Sequence, residues 1–148
     1  MAKKYAGEDR LLLSQVALSE ASLHALRREY EVACEQYKSI KLEYHDLLTR
    51  PEHEDFAMEL NSRLACTLVD AQHYNDALPI FRKLFENTGV EDKQRLQLFF
   101  SFALFRMGLR EEAQPLLFEA AKGEDPKLAQ TALGYLAEIE KADRGRLA

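Results

Sequence analysis

Two prolines constrain this chain more than any other feature. In "YNDALPIF" (Tyr74–Phe81) a proline stands two residues after an alanine, inside sequence that otherwise reads as helix. In "LREEAQPLLF" (Leu109–Phe118) the same arrangement returns 36 residues on. Proline removes a backbone donor and is usually expelled from helix interiors, so placing it twice at one point signals a repeated unit. Setting Ala77 on Ala113 brings Leu64-Ala65 onto Phe100-Ser101, Leu68 onto Leu104, Pro79 onto Pro115, Phe81 onto Leu117 and Leu84 onto Ala120. Each unit then reads as two amphipathic helices separated by a tight turn, "DAQHYND" in one and "RMGLREE" in the other. With Asn75 as the N-cap, Pro79 is expected in the first helical turn, whose N–H groups have no intrahelical acceptor. Asp76, Glu111 and Glu112 suit helix N-termini through the helix dipole.

The pattern resembles the tetratricopeptide repeat (TPR). That family has a large residue followed by a small one in its first helix, a Gly-x-Tyr-like turn, and an acidic residue before the alanine that opens its second helix. Here the second unit has Gly108 and "EEA" at Glu111 to Ala113, and the first has Gln72 for the glycine but keeps Tyr74 and "NDA". Leu133-Gly134, 33 residues after Phe100-Ser101, is similar to the family's Leu-Gly pair and opens a third unit with no second helix, which reads as the capping helix of an array. The resemblance covers about Phe56 to Ala142. It departs from the family at Asn61, where a bulky aromatic is usual, and in a spacing two residues over the usual ~34. The extra residues are assigned to "NTGVEDKQ" (Asn87–Gln94). The resemblance implies an all-α fold of TPR-like helical hairpins, with a groove that takes an extended or helical peptide.

The N-terminal third follows another rhythm. Leu23, Leu26, Tyr30, Ala33, Tyr37, Ile40, Tyr44 and Leu47 alternate spacings of three and four, a heptad seam that extends back to Val16 and Leu12 with Ser19 as a weak point. The seam predicts one long helix over about Glu8 to Thr49, or two with a break near "SEAS" (Ser19–Ser22), ended by Pro51. The expected organisation is a flexible N-terminus (1–7), a long coiled-coil-like segment (8–50), a repeat domain (53–142) and a flexible C-terminus (143–148). A parallel self-paired coil would set Glu29 against Cys34, Gln36 against Lys41 and Glu43 against Leu48, none an ion pair. The stripe therefore suits the chain's own repeats or another protein's helix at least as well as a homodimer through residues 12–47.

The residues offer no reaction. There is no glycine-rich phosphate loop and no serine elbow. His24, His45, His53 and His73 do not fall at i,i+4 ligand spacing, and "PEHEDF" reads as a solvated helix start and not a metal site. Cys34 and Cys66 stand apart with no CxxC and read as reduced thiols. No catalytic residue, cofactor or metal is expected. A net charge of −5 and a pI near 5.4 argue against a nucleic-acid partner. The polar start "MAKKYAGEDR" and short apolar runs predict no leader, no membrane insertion and a cytoplasmic location.

Apolar excess is the functional signal. "LQLFFSFALF" (Leu96–Phe105) carries more aromatic rings than one buried helix face can use. Phe99, Phe102 and Phe105 are the candidate partner-binding residues, with Tyr30, Tyr37 and Tyr44 as a second aromatic strip at seven-residue spacing. Each set has a plainer reading as half-buried core. The predicted function is non-enzymatic: an adaptor or chaperone that holds an apolar helix or peptide of a protein partner. In size, acidity and repeat count the chain resembles the chaperones of type III secretion needle subunits. The alternative is an oligomeric scaffold assembled through the heptad helix.

Overall fold

The computed structural model describes residues 2–87 and 91–147, and every described regular element is helical. The chain divides into two compact units, one ending at His73 and the other starting at Tyr74.

The first unit contains α1 (Ala2–Leu26), α2 (Tyr30–Glu43), a single turn α3 (His45–Leu48), a 3-10 turn (Pro51–His53) and α4 (Glu54–Asp70). The N-terminal segment is therefore a helix pair, and its break lies at Arg27–Glu29 and not at Ser19–Ser22. The serines do not interrupt α1, because their hydroxyls bond back onto their own helix. Ser14 donates to the Leu11 carbonyl (2.6 Å), Ser19 to Gln15 (3.2 Å) and Ser22 to Leu18 (2.8 Å). The heptad seam survives only in part. Ala33, Tyr37, Ile40, Tyr44 and Leu47 are buried, whereas Leu23 and Leu26 face solvent because the chain reverses direction between them and Tyr30. Ser14, Leu18 and Ala21 of α1 are buried and α1 packs on α2, which packs in turn on α4.

The second unit contains α5 (Tyr74–Phe85), α6 (Lys93–Arg106), α7 (Arg110–Ala121) and α8 (Pro126–Leu147), each packed on the next in the order α5, α6, α7, α8. Residues 88–90 of the stretch assigned to the extra loop lie outside the described residues. Helix α5 starts one residue before the expected cap, so Asn75 lies in its first turn. Pro79 and Pro115 are each the sixth residue of their helices, too deep to escape a lost donor. Both prolines are exposed, as are Asn75 and Glu111, whose carbonyls lose that donor. Water can serve those carbonyls, which explains the tolerance better than position in the first turn does.

One device recurs. Helices α1, α4 and α6 all end with a left-handed residue: Arg28 (φ 63°), Gln72 (φ 66°) and Gly108 (φ 80°). In each case the next residue's N–H reaches back five residues: Glu29 to the His24 carbonyl (2.9 Å), His73 to Leu68 (2.8 Å) and Leu109 to Leu104 (2.8 Å). The left-handed residue itself donates three back, to Ala25 (3.0 Å), Val69 (2.9 Å) and Phe105 (3.0 Å). These are three Schellman ends in one register. Counted from them, Ala33, Ala77 and Ala113 occupy one position, and Tyr37, Phe81 and Leu117 another, all of them buried. The N-terminal helix pair is thus a third copy of the repeat, with Glu35 where the others carry proline.

Only glycine sits in the left-handed region without a steric cost. Arg28→Gly and Gln72→Gly are each expected to raise stability by roughly 0.5–1 kcal/mol, after allowing for glycine's freer unfolded chain, and Gly108→Ala to lower it by about 1 kcal/mol. Urea midpoints at constant slope measure all three.

The start of α8 is tied down as well. Asp125 Oδ1 accepts from the N–H groups of Lys127 (2.9 Å) and Leu128 (3.3 Å), with Pro126 at the first helical position. The Gln94 amide donates to the Ala120 (2.8 Å) and Asp125 (3.1 Å) carbonyls and accepts from the Asp125 N–H (3.0 Å). Gly123 leaves room for it, since a Cβ there would stand 2.2 Å from the Gln94 amide carbon. The buried face of α8 is Ala132 and Ile139, with Leu128 and Leu136 packed beside them. Leu133 and Gly134 are exposed, so the alignment of that pair on Phe100-Ser101 is out of phase with the face α8 turns to the cluster it shares with Leu98 and Leu117.

Candidate functional site

Helix α6 has two faces with different uses. Leu96, Phe100, Ala103 and Leu104 are buried. Arg95, Phe99, Phe102 and Arg106 follow one another at spacings of four, three and four, which puts them along one stripe of the helix. Phe99 and Phe102 are half-buried, and both arginines are exposed. The Arg95 guanidinium lies 5.6 Å from the Phe99 ring centre. Phe102 is flanked by Tyr74 edge-on and by Tyr135 tilted, each at 6.0 Å between ring centres. Arg106 completes the row, 5.8 Å over Tyr74.

The stripe combines aromatic rings with two guanidinium groups. The rings offer polarisable apolar surface, and the guanidinium groups are held over aromatic faces with N–H donors still open to solvent. Neither Arg95 nor Arg106 forms an ion pair among the described residues. Among the described residues no group of three His, Cys, Asp or Glu side chains is placed to hold a metal, and no helix is long and apolar enough to cross a membrane.

Of the predicted binding residues, the structure brings Phe99 and Phe102 together. Phe105 turns the other way. It packs on the cluster of Leu98, Leu117, Ala120, Ala132 and Ile139, with the Arg110 guanidinium 5.6 Å from its ring centre. The tyrosine strip does not form a surface. Tyr30 is half-buried at the start of α2, Tyr37 is 1% exposed, and Tyr44 is buried where α2 meets α3. Ser22 Oγ, whose own proton goes to the Leu18 carbonyl, accepts from the Tyr37 hydroxyl (3.0 Å) and from Arg63 Nη1 (2.8 Å), which links α1, α2 and α4. Tyr44 is covered by Arg10, 5.6 Å from its ring centre. Arg10 also bonds both carboxylate oxygens of Asp46 (2.6 and 2.9 Å) and, mainly through that hydrogen bonding, holds the Asp46 carboxyl down from 3.8 to about 2. Cys34 is buried, which pushes its thiol up to about 11 and keeps it protonated and inert.

Tyr74, Tyr135, Arg95 and Arg106 were not singled out by sequence. The arginines could have been found from the 4-3-4 spacing around the two phenylalanines. Tyr74 was noted only for its turn, and Tyr135 lies one residue past the pair used to align α8.

No family model and no curated protein matches the chain. Among solved structures it is similar to a TPR-like protein from Chlorobium tepidum TLS, with a TM-score of 0.74 and 22% identity over 90% of this chain and 98% of that one. Three Schellman-ended helices in register, a closing helix and this likeness together give the chain the fold of a TPR-like helical protein.

Proposed function

We propose that the chain is a protein–protein interaction module that holds an apolar helical segment of a partner against the exposed stripe of α6. The observation that carries this reading is the row Arg95, Phe99, Phe102, Arg106 with Tyr74 and Tyr135 beside it: unsaturated aromatic surface between two cations that lack an acidic partner among the described residues. Aromatic and arginine side chains are the types that dominate binding energy at interfaces. An amphipathic segment with apolar residues toward the rings and carboxylates toward the arginines fits best. TPR-like folds present surfaces of this kind, and a cytoplasmic adaptor or chaperone is the role that follows. The narrower role, holding a secretion needle subunit as a monomer, is supported by size, acidity and repeat number.

The test is calorimetry with a partner first recovered by affinity capture from the native host and then made recombinantly. Phe102→Glu is expected to weaken binding by about 30-fold or more, the scale of an interface hot spot. Phe118→Ser, at an exposed site on α7, is the control and should leave affinity unchanged. A Phe102→Glu chain that keeps its helical circular dichroism and its full affinity would remove the α6 stripe from the reading.

A further inference from the structure

We propose that, with no other partner bound, the α6 stripe takes the row Asp9, Leu13, Val16, Glu20 of α1 from a second copy of this chain. The inference rests on reading that stripe as a docking surface, and it names an occupant for it. The row on α6 is Arg95, Phe99, Phe102, Arg106: a cation, two rings and a cation at spacings of four, three and four. Helix α1 carries the complementary row at the same spacings: a carboxylate, two aliphatic side chains and a carboxylate. Four, three and four add to eleven residues, close to three helical turns, so each row runs straight along one face for about 16 Å. Laid against each other, the rows set carboxylates on guanidinium groups at both ends and aliphatic side chains on rings between them.

Both rows are open to solvent. Asp9 and Glu20 are exposed, Leu13 is 57% and Val16 48% exposed, and Ser14, Leu18 and Ala21 occupy the opposite, buried face of α1. Asp9, Glu20, Arg95 and Arg106 form no ion pair among the described residues. The other charges nearby leave the match intact. On α1, Arg10 bonds Asp46 and His24 lies 3.3 Å from Glu29. Helix α6 contains no acidic residue, in a chain whose net charge is −5, and its Lys93 lies about 200° round the helix from Arg95. Glu138, one turn past Tyr135 on α8, is 4.0 Å from Lys141. Arg27 follows the end of α1 and Asp92 precedes the start of α6, so both fall outside the matched rows.

The apolar middle is wider than two residues on each side. Leu12, 59% exposed, stands beside the row on α1, and Tyr74 and Tyr135 stand beside the row on α6. An acidic amphipathic helix laid on rings and arginines is the chemistry that the α6 stripe calls for, and this chain supplies both halves. Each copy carries both rows. Two copies that exchange them form a closed pair, and copies that do not close continue into larger species.

Sedimentation equilibrium of the full chain tests it. The wild type is expected to self-associate as its concentration rises, and Val16→Glu and Phe102→Glu each to stay monomeric. Glu20→Arg alone should weaken association by about tenfold, because it sets a cation on a guanidinium group. Mixed in equal amounts with Arg95→Glu or with Arg106→Glu, it should recover wild-type strength with one of the two. Rescue by Arg95→Glu means antiparallel helices, and rescue by Arg106→Glu means parallel ones. Circular dichroism on every variant checks retained helix, and if Phe102→Glu unfolds, Val16→Glu and the mixtures decide. A wild-type chain that stays monomeric overturns the proposal and leaves the α6 reading to the calorimetric test above. Self-association that Val16→Glu leaves intact overturns it too, as does a Glu20→Arg chain that neither arginine variant rescues.

Discussion

Phe81→Ala is expected to cost the second unit roughly 3–5 kcal/mol. Phe81 is fully buried, and its ring stacks on Phe100 at 5.3 Å and 8°. Phe85 stacks on Phe100 as well, at 5.5 Å and 23°. Removing Phe81 therefore takes out a whole ring's worth of dispersion contact and leaves a void between α5 and α6 that neighbours in regular helices are poorly placed to fill. A domain of this size is stable by only about 5–15 kcal/mol, so the loss should appear as a large fall in urea midpoint. Phe81→Leu is the informative companion. Leucine stands at the same register in α7, as Leu117, and is fully buried there. That change should cost only about 1–2 kcal/mol, most of it the stacking and volume difference. If Phe81→Ala cost less than about 1 kcal/mol, the packing described for α5 on α6 would be wrong.

Tyr37→Ala carries a similar expected loss in the first unit, about 3–5 kcal/mol, and it separates two accounts of the N-terminal tyrosines. As a partner-gripping residue, Tyr37 would affect binding and leave the isolated chain unchanged. As a core residue at 1% exposure, it should destabilise the isolated chain with no partner present. Tyr37→Phe isolates the hydroxyl. It keeps the ring and loses one hydrogen bond to Ser22, while Ser22 keeps Leu18 and Arg63, so about 1 kcal/mol is expected. Thermal or urea unfolding of the two variants, measured on the chain alone, gives the answer. A Tyr37→Ala chain as stable as wild type would sink the core assignment.

The repeat was legible where its markers are chemically distinctive. Ala77 and Ala113 sit at fully buried positions where a larger side chain has no room, and each has a proline two residues on. The first copy was missed because its markers are ordinary. Arg28 occupies the left-handed position that Gly108 announces, and Glu35 replaces the proline. The run Leu23, Leu26, Tyr30, Ala33 keeps heptad spacing straight through the turn, so periodicity alone could not show that the chain reverses there. Phe99 and Phe102 were legible as surplus rings, but the tyrosines beside them come from other helices, and only tertiary packing brings Tyr74 and Tyr135 to Phe102. Phe105 stands among the surplus rings in sequence, but it lies seven residues after Leu98 and so shares its face, which packs on the cluster shared with α8.

The left-handed residues that end α1, α4 and α6 are 44 and 36 residues apart, yet the positions that follow each of them keep one register. The difference in length is taken up between copies, by α3 and the 3-10 turn in one case and by the stretch before α6 in the other. Length is therefore a free variable in the connectors and a fixed one at the turns. Lengthening a flexible connector twofold costs only about 0.6 kcal/mol in closure entropy. A single residue inserted between Arg28 and Ala33 would instead rotate every buried side chain of α2 by about 100° away from its contacts. Descendants of this chain can drift in size while keeping their architecture, provided insertions and deletions fall in the connectors and spare the turns.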